Sequence, residues 1–306
     1  MFSLGIHIGL LLVMPPLLIG VINKTKAWFA GRLGLPLLQS YRDVWKLLRK
    51  GAIYSQATTW LFRAGPIVSL AAVLCAGLVL PLAANSSPLG FSGDVVVFAY
   101  LLALGRFFTM AAAFDTGSSF EGMGASREAA FSALAEPALF LSLAILCLPA
   151  RSATFADAFG RLPWTSWGFG HPAYLAAALS LFAVLLAENS RIPVDDPNTH
   201  LELTMVHEVM VLDHGGPDFG FILYGSAVKL FVIAALLVHV LLPIPASGGW
   251  RGVALFCGGE IGLAILVGVV ESVMARLRLP RVPQFLIGAT VLAAVGLGAL
   301  LYRGAP

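Results

Sequence analysis

Between Glu188 and Asp218 the sequence gathers Glu188, Asp195, Asp196, Glu202, Glu208, Asp213 and Asp218, together with His200, His207 and His214. That is seven of the 16 acidic residues and three of the 6 histidines, in a chain only 11% charged. Carboxylates and imidazoles gain or lose protons near neutral pH once burial or neighbouring charge moves them. Such a cluster could exchange protons, ligate a metal, or dock a charged partner. Metal ligation fits the spacing poorly. The histidines recur every seven residues, which on a helix separates neighbours by roughly 10.5 Å, whereas ligands sit about 2 Å from one ion. His207-Glu208 is not followed by a second histidine at zinc-protease spacing. No metal is expected here; a titratable surface or a docking face is. Asp195-Asp196-Pro197-Asn198-Thr199 reads as a turn leading into a helix that His214-Gly215-Gly216-Pro217 ends.

A second set of ionisable residues lies within or beside long apolar runs: Arg106, Glu128, Glu136, Lys229, Glu260 and Glu271. Each costs about 2.5–3.5 kcal/mol at the middle of a membrane helix, so each needs a partner or a wet cavity. Two bases cannot neutralise four carboxylates. A protonatable, hydrated path explains the excess better than a static set of ion pairs. The stretch from Asp115 through Glu121 to Glu128 is rich in glycine and small hydroxyls. It lacks the glycine spacing of a phosphate cradle. It reads as a tight turn bringing Asp115 and Glu121 near the next loop, with Ser126 as N-cap of the helix that follows.

The elements that must position these groups are membrane helices. The chain is 58% hydrophobic with a mean hydropathy of +0.88, and apolar runs of spanning length recur. The expected fold is all-α and polytopic, with about eight spans near 3–23, 64–84, 93–113, 129–149, 172–187, 219–242, 252–272 and 284–302, the fifth short. Ten-residue alternating blocks, the mark of an outer-membrane barrel, are absent. No internal repeat stands out. The first run carries its positive charges, Lys24 and Lys26, after the apolar stretch, so it is expected to stay as a membrane helix rather than be cleaved.

Thirteen Lys and Arg residues, including Lys24, Lys26, Arg32, Arg42, Lys46, Arg49, Lys50, Arg63, Arg127 and Arg191, fall on one side of this topology; Arg151, Arg161, Arg251 and Arg303 fall on the other. The excess marks the cytoplasmic side. Both termini are then periplasmic and the 188–218 loop is cytoplasmic. The net charge of +3 arises from these loops, so nucleic acid is not an expected partner. Leu37, Tyr41, Val44, Trp45 and Leu48 recur at helical spacing opposite Arg42, Lys46, Arg49 and Lys50, which predicts an amphipathic helix after the first span, lying on the membrane or on a partner. Cys75, Cys147 and Cys257 are far apart in apolar runs and cannot form a cluster site.

Glu188-Asn189-Ser190-Arg191-Ile192-Pro193-Val194-Asp195-Asp196 resembles the E-T-N-R-x-P-F-D-L segment of the quinone-site membrane subunit of respiratory complex I. Gly31-Arg32-Leu33-Gly34, Gln39, Tyr41-Arg42-Asp43, Glu136-Pro137, Arg276 to Pro280 and Pro283-Gln284 carry the same likeness along most of the chain. Where the quinone-reducing branch has an acidic run, this chain has Asn198-Thr199-His200-Leu201-Glu202-Leu203. That wording is closer to the membrane anchor of group 4 energy-converting [NiFe]-hydrogenases, as are Asp115-Thr116-Gly117-Ser118 and Gly122 to Ala129.

The resemblance implies a non-redox subunit in the cell inner membrane. It would link a cytoplasmic arm of hydrogenase large and small subunits and an iron–sulfur subunit to antiporter-like membrane subunits. The partners would carry the [NiFe] centre and iron–sulfur clusters, with no cofactor on this chain. Glu188, Arg191, Asp195, Asp196, His200, Glu202, His207, Glu208 and Asp213 would form the coupling loop facing the arm. Glu128 and Glu136 would take up protons, with Asp115, Glu121, Glu260, Glu271, Lys229 and Arg106 as further candidates on the path. The alternatives are the quinone-site membrane subunit of a respiratory complex I (NADH-quinone oxidoreductase), a stand-alone ion transporter, and an anchor without proton traffic.

Overall fold

The computed structural model describes residues 2–84, 86–162, 172–195, 206–245 and 249–302, and every regular element among them is helical. In chain order these are α1 (Phe2–Phe29), α2 (Gln39–Leu48), α3 (Trp60–Val79), α4 (Asp94–Asp115), α5 (Ser119–Cys147), α6 (Phe155–Gly160), α7 (Pro172–Glu188), α8 (Gly216–Leu241), α9 (Gly249–Val273) and α10 (Val282–Tyr302). Short 3₁₀ turns occupy Glu208–Val211 and Leu279–Arg281. Among the described residues, seven helices are long and apolar enough to cross a membrane. The eighth expected span is α7, apolar but 17 residues long, or about 25 Å of helix, at the lower limit for a bilayer core.

Local chemistry sets the ends. Thr59 caps α3 by accepting the Leu61 N–H at 3.3 Å. Asp115, at the end of α4, adds a second cap by accepting the Thr59 N–H at 2.6 Å, the Thr59 hydroxyl at 2.8 Å and the Phe62 N–H at 3.3 Å. In α8, Pro217 stands in the first turn, where its missing N–H costs nothing. Inside α1, Pro15 and Pro16 remove the donors that would reach the carbonyls of Leu11 and Leu12. The Tyr224 hydroxyl donates to the Leu12 carbonyl at 2.9 Å, and Tyr41 of α2 donates to the neighbouring Val13 carbonyl.

Helix α8 sits at the centre, with 67% of its apolar window buried against 28% for the last span, so its charged groups meet protein rather than lipid. Helices α3 and α4 pack closely because Gly65 has no side chain: a Cβ there would lie 2.7 Å from the Ala112 methyl. Outward faces carry Tyr100, Leu104 and Phe107 on α4 and Ile287, Val291 and Val295 on α10, at the three- and four-residue spacing of a lipid-facing stripe. Amphipathic α2 forms where expected. It has no fully buried residue, turns Tyr41, Val44 and Leu47 inward, and leaves Trp45 exposed beneath the Arg49 guanidinium at 4.6 Å.

Candidate functional site

Arg106 projects from the middle of α4, where it is buried among neighbouring helices. Its guanidinium bridges two carboxylates, Nη2 to Glu136 of α5 and Nη1 to Glu188 at the end of α7. The second oxygen of Glu188 lies 2.7 Å from Nζ of Lys229 on α8. A planar guanidinium can serve two carboxylates at once; an ammonium on a flexible stem closes the far end. The result is a chain of charges, Glu136–Arg106–Glu188–Lys229, crossing four helices. Glu188 and Arg106 are buried, while the Glu136 side chain keeps 42% of its surface and forms the open end.

Glu128 lies two turns before Glu136 on α5, is 9% exposed, and makes no ion pair among the described residues. It lines a partly open cleft with Ser132, Glu188, Ser190 and Asp195. Lys229 and Arg106 attract a charge on Glu128, and Glu188 and Asp195 repel it. Glu128, Glu136 and Glu188 thus share two cations, and one negative charge is uncompensated unless a proton occupies the group.

A second set of pairs anchors the turn after α7. Glu271, fully buried on α9, is 2.8 Å from Lys26 at the end of α1 and 3.3 Å from Arg191. The expected shortage of cations is therefore partly corrected: Lys26 and Arg191 were counted as loop charges, yet they reach back to a membrane carboxylate. Asp195 meets Arg276 at 2.7 Å and accepts the N–H groups of Val206 and His207 at 3.1 and 3.4 Å. The Leu277 N–H donates to the Pro193 carbonyl at 2.9 Å, which joins the connection after α7 directly to the one after α9.

The segment 206–215 differs from the helix expected there: its one regular piece is the 3₁₀ turn Glu208–Val211. The reason is competition from side chains. Asp195 takes its first N–H groups, and Glu121 accepts the Asp213 N–H at 3.1 Å. Met210 and Val211 turn down into a small apolar cluster with Ala113 and Ala125. Gly124 permits that approach, since a Cβ there would stand 2.9 Å from the Val206 carbonyl oxygen and 3.1 Å from Met210 Cγ. His207 and His214 consequently share no continuous helix. Asp196, His200 and Glu202 lie outside the described residues.

Other expectations change as well. Ser126 is not an N-cap: α5 begins at Ser119, and the Ser126 hydroxyl donates back to Met123 within the helix. Asp115 does not join the charge chain but caps α3, and Glu121 serves the loop rather than Arg106. Glu260 stands apart from every ion pair among the described residues. Among the described residues no group of three His, Cys, Asp or Glu side chains is arranged to hold a metal. Buried His7, Asp94 and His239 were missed by sequence reasoning, although each falls in or beside an apolar run.

Residues 2–302 match the family described as NADH dehydrogenase. The chain belongs to the NADH dehydrogenase family. This family member is 32% identical to formate hydrogenlyase subunit 4 of Escherichia coli (strain K12) over 302 residues, 94% of this chain and 95% of that protein. It is 33% identical to hydrogenase-4 component C of the same organism over 273 residues, 87% and 85% of the two chains. The corresponding NADH-quinone oxidoreductase subunit of Burkholderia vietnamiensis is more distant, 24% identical over 74% of this chain and 66% of that protein. The structure of the membrane-bound sulfane sulfur reductase, an archaeal respiratory membrane complex, includes a chain with the same fold. The TM-score is 0.83 at 21% identity, covering 96% of this chain and 97% of that one. The NADH dehydrogenase family member is thus a multi-span membrane protein related to subunits of respiratory-type complexes, as the residues of its 188–196 segment had implied.

In this family member, burial and then repulsion from Lys229 push the His207 imidazole down to about 4, while His214, buried with its ring stacked on Phe62 at 4.0 Å, is also lowered. Both rings are neutral in the folded loop at pH 7. An unfolded loop would protonate near the ordinary histidine value, about 6.5. The anchoring is therefore complete above about pH 6.5 and weakens as pH falls from there towards 4. Hydrogen exchange in 206–215, corrected for intrinsic chemistry, should accelerate across that window, and His207→Gln should remove most of the slope. A pH-independent profile in the wild type would contradict this.

Proposed function

We propose that the chain is the non-redox membrane subunit of an energy-converting hydrogenase of the formate hydrogenlyase type, coupling electron transfer in a soluble arm to proton translocation. In this reading it lies in the cell inner membrane with both termini periplasmic. Hydrogenase large and small subunits and an iron–sulfur subunit dock on the side carrying α2 and 206–215. Antiporter-like subunits flank it within the bilayer. The [NiFe] centre and iron–sulfur clusters belong to those partners and supply the redox chemistry; this chain ligates none.

The observation that carries the reading is the charge chain with one carboxylate in excess, placed directly beneath the acidic loop. Greater similarity to the hydrogenase-linked relatives than to the NADH-quinone oxidoreductase relative selects the hydrogenase type. Asp195 lines the same cleft as Glu128 and also holds the start of the 206–215 segment. A displacement of that segment by the docked arm would move the Asp195 charge relative to Glu128. At a separation on the order of 6 Å and an effective dielectric of 20, one unit charge is worth about 3 kcal/mol. That changes proton occupancy by about two orders of magnitude. The proton released from Glu128 would leave through the open side of the cleft it lines, which the Glu136–Arg106–Glu188–Lys229 charges keep polar.

The test is Glu128→Gln in the intact complex reconstituted in vesicles. Proton movement per hydrogen formed should fall at least tenfold while the subunits still co-purify. Unchanged stoichiometry would make the chain an anchor only, and competition of turnover by a quinone-site inhibitor would favour the quinone-reductase reading.

A further inference from the structure

Two buried titratable side chains stand away from the Arg106 chain, where α8 meets α9. Glu260 of α9 has no exposed surface, and neither carboxylate oxygen has a hydrogen-bond partner. His239 of α8 is 1% exposed. Its Nδ1 lies 2.9 Å from the Ala235 carbonyl, and its Nε2 has no partner. A carbonyl only accepts, so Nδ1 carries the ring proton, and Nε2 of the neutral ring is a vacant acceptor. The ring stacks on Phe159 of α6 at 4.5 Å between centroids and lies 5.8 Å from Phe256. Phe256 precedes Glu260 by one helical turn and shares its face of α9. Gly259, beside Glu260, brings the two helices together: a Cβ there would lie 2.8 Å from Val238 Cγ1.

An ionised carboxylate without a cation in this setting would give up its solvation with nothing to replace it, so the resting group is the neutral acid. An acid without an acceptor therefore stands one helical turn from the ring that an imidazole with a nitrogen lacking a donor approaches at 5.8 Å. Buried polar atoms left unsatisfied in this way call for water or a proton-handling role. Several other titratable groups on the packed elements are engaged elsewhere or are weakly acidic. His7 faces the Gly77 carbonyl at 2.9 Å, Tyr224 donates to Leu12, Lys26 and Lys229 hold Glu271 and Glu188, and Cys257 is a neighbouring thiol.

We propose that Glu260 and His239 form a second proton-exchanging pair, separate from the Arg106 chain and towards the α6 end of the bundle, joined by water past the Phe256 ring. Glu260 gives its proton to the bridging water as that water gives one to Nε2. The products are a carboxylate and an imidazolium, whose charges cancel as a pair. Return of the proton from Nε2 through the same water to the carboxylate restores the start, and exchange of that water with solvent renews the proton. The pair extends the proton traffic proposed above and rests on that reading for its use, so the test reads protonation directly.

Infrared difference spectra of the purified complex, wild type minus Glu260→Gln, should contain a carboxylic-acid carbonyl band that shifts on transfer to D₂O. His239→Phe keeps the aromatic stack but removes the acceptor, and should slow that shift at least tenfold. Absence of the band would mean an ionised Glu260, and a band that never shifts would mean a sealed acid; either overturns the proposal. An unchanged exchange rate in His239→Phe would likewise overturn the pairing. A complex that moves no protons would sink the coupling role but leave these spectra unaffected, so the two failures are distinguishable.

Discussion

Arg106→Met is expected to lower the stability of the protein by about 3–5 kcal/mol, the usual cost of removing one member of a buried ion pair. The substitution preserves much of the volume but leaves Glu136 and Glu188 facing an apolar stem. Lys229 still holds one oxygen of Glu188, and Glu136 can recover some solvation through its exposed edge. The penalty therefore falls mainly on Glu188, whose side chain is 6% exposed. Two outcomes sharpen the argument. Adding Glu136→Gln restores the original excess of one carboxylate and should return at least half of the lost stability. Arg106→Lys keeps the charge but cannot bridge two carboxylates in a plane, and should fall between wild type and Arg106→Met. Thermal or denaturant unfolding in detergent measures all three. An Arg106→Met protein within about 1 kcal/mol of wild type, below the range for a buried pair, would show that the bridge does not hold these helices together.

Asp195→Ala should have its largest effect locally. It removes the partner of Arg276 and the acceptor for two N–H groups at the start of 206–215. Losing hydrogen bonds to a charged group costs about 1.5–3 kcal/mol each, enough for two of them to raise exchange in that segment by at least about two orders of magnitude, since each 1.4 kcal/mol is tenfold. Asp195→Asn separates the two duties. The amide oxygen can still accept from the loop, whereas the charge facing Arg276 is gone. Hydrogen exchange should then stay slow in 206–211 and rise in 274–281. Equal exchange in wild type and Asp195→Ala would remove Asp195 from the anchoring of the loop, and with it the link from docking surface to Glu128.

Much of the architecture was legible in the residues. Apolar runs located the helices, and Leu37 to Lys50 announced amphipathic α2, because transfer of side chains into lipid depends on local composition. The 188–196 wording identified the family. The pairing of charges was less legible. Counting bases inside spans missed Lys26 and Arg191, which sit at helix ends yet fold back onto Glu271. The turn between α4 and α5 was expected to bring Asp115 and Glu121 near the next loop; Glu121 does reach it, accepting the Asp213 N–H, whereas Asp115 caps α3.

From its sequence alone this protein is determined to be a polytopic helical member of its family with a concentrated acidic loop and too many membrane carboxylates. Only the tertiary structure decides which carboxylates share a cation and which, Glu128 and Glu260 among the described residues, pair with none. Arg106 and Glu188 are 82 positions apart, and Arg191 and Glu271 are 80 apart. Hydrophobicity is summed residue by residue, but compensation of a buried charge depends on distances of a few ångströms between helices remote in sequence. That is why the acidic residues could be found by reading, while their division into a coupled chain, structural anchors and the solitary Glu260 required the packed bundle.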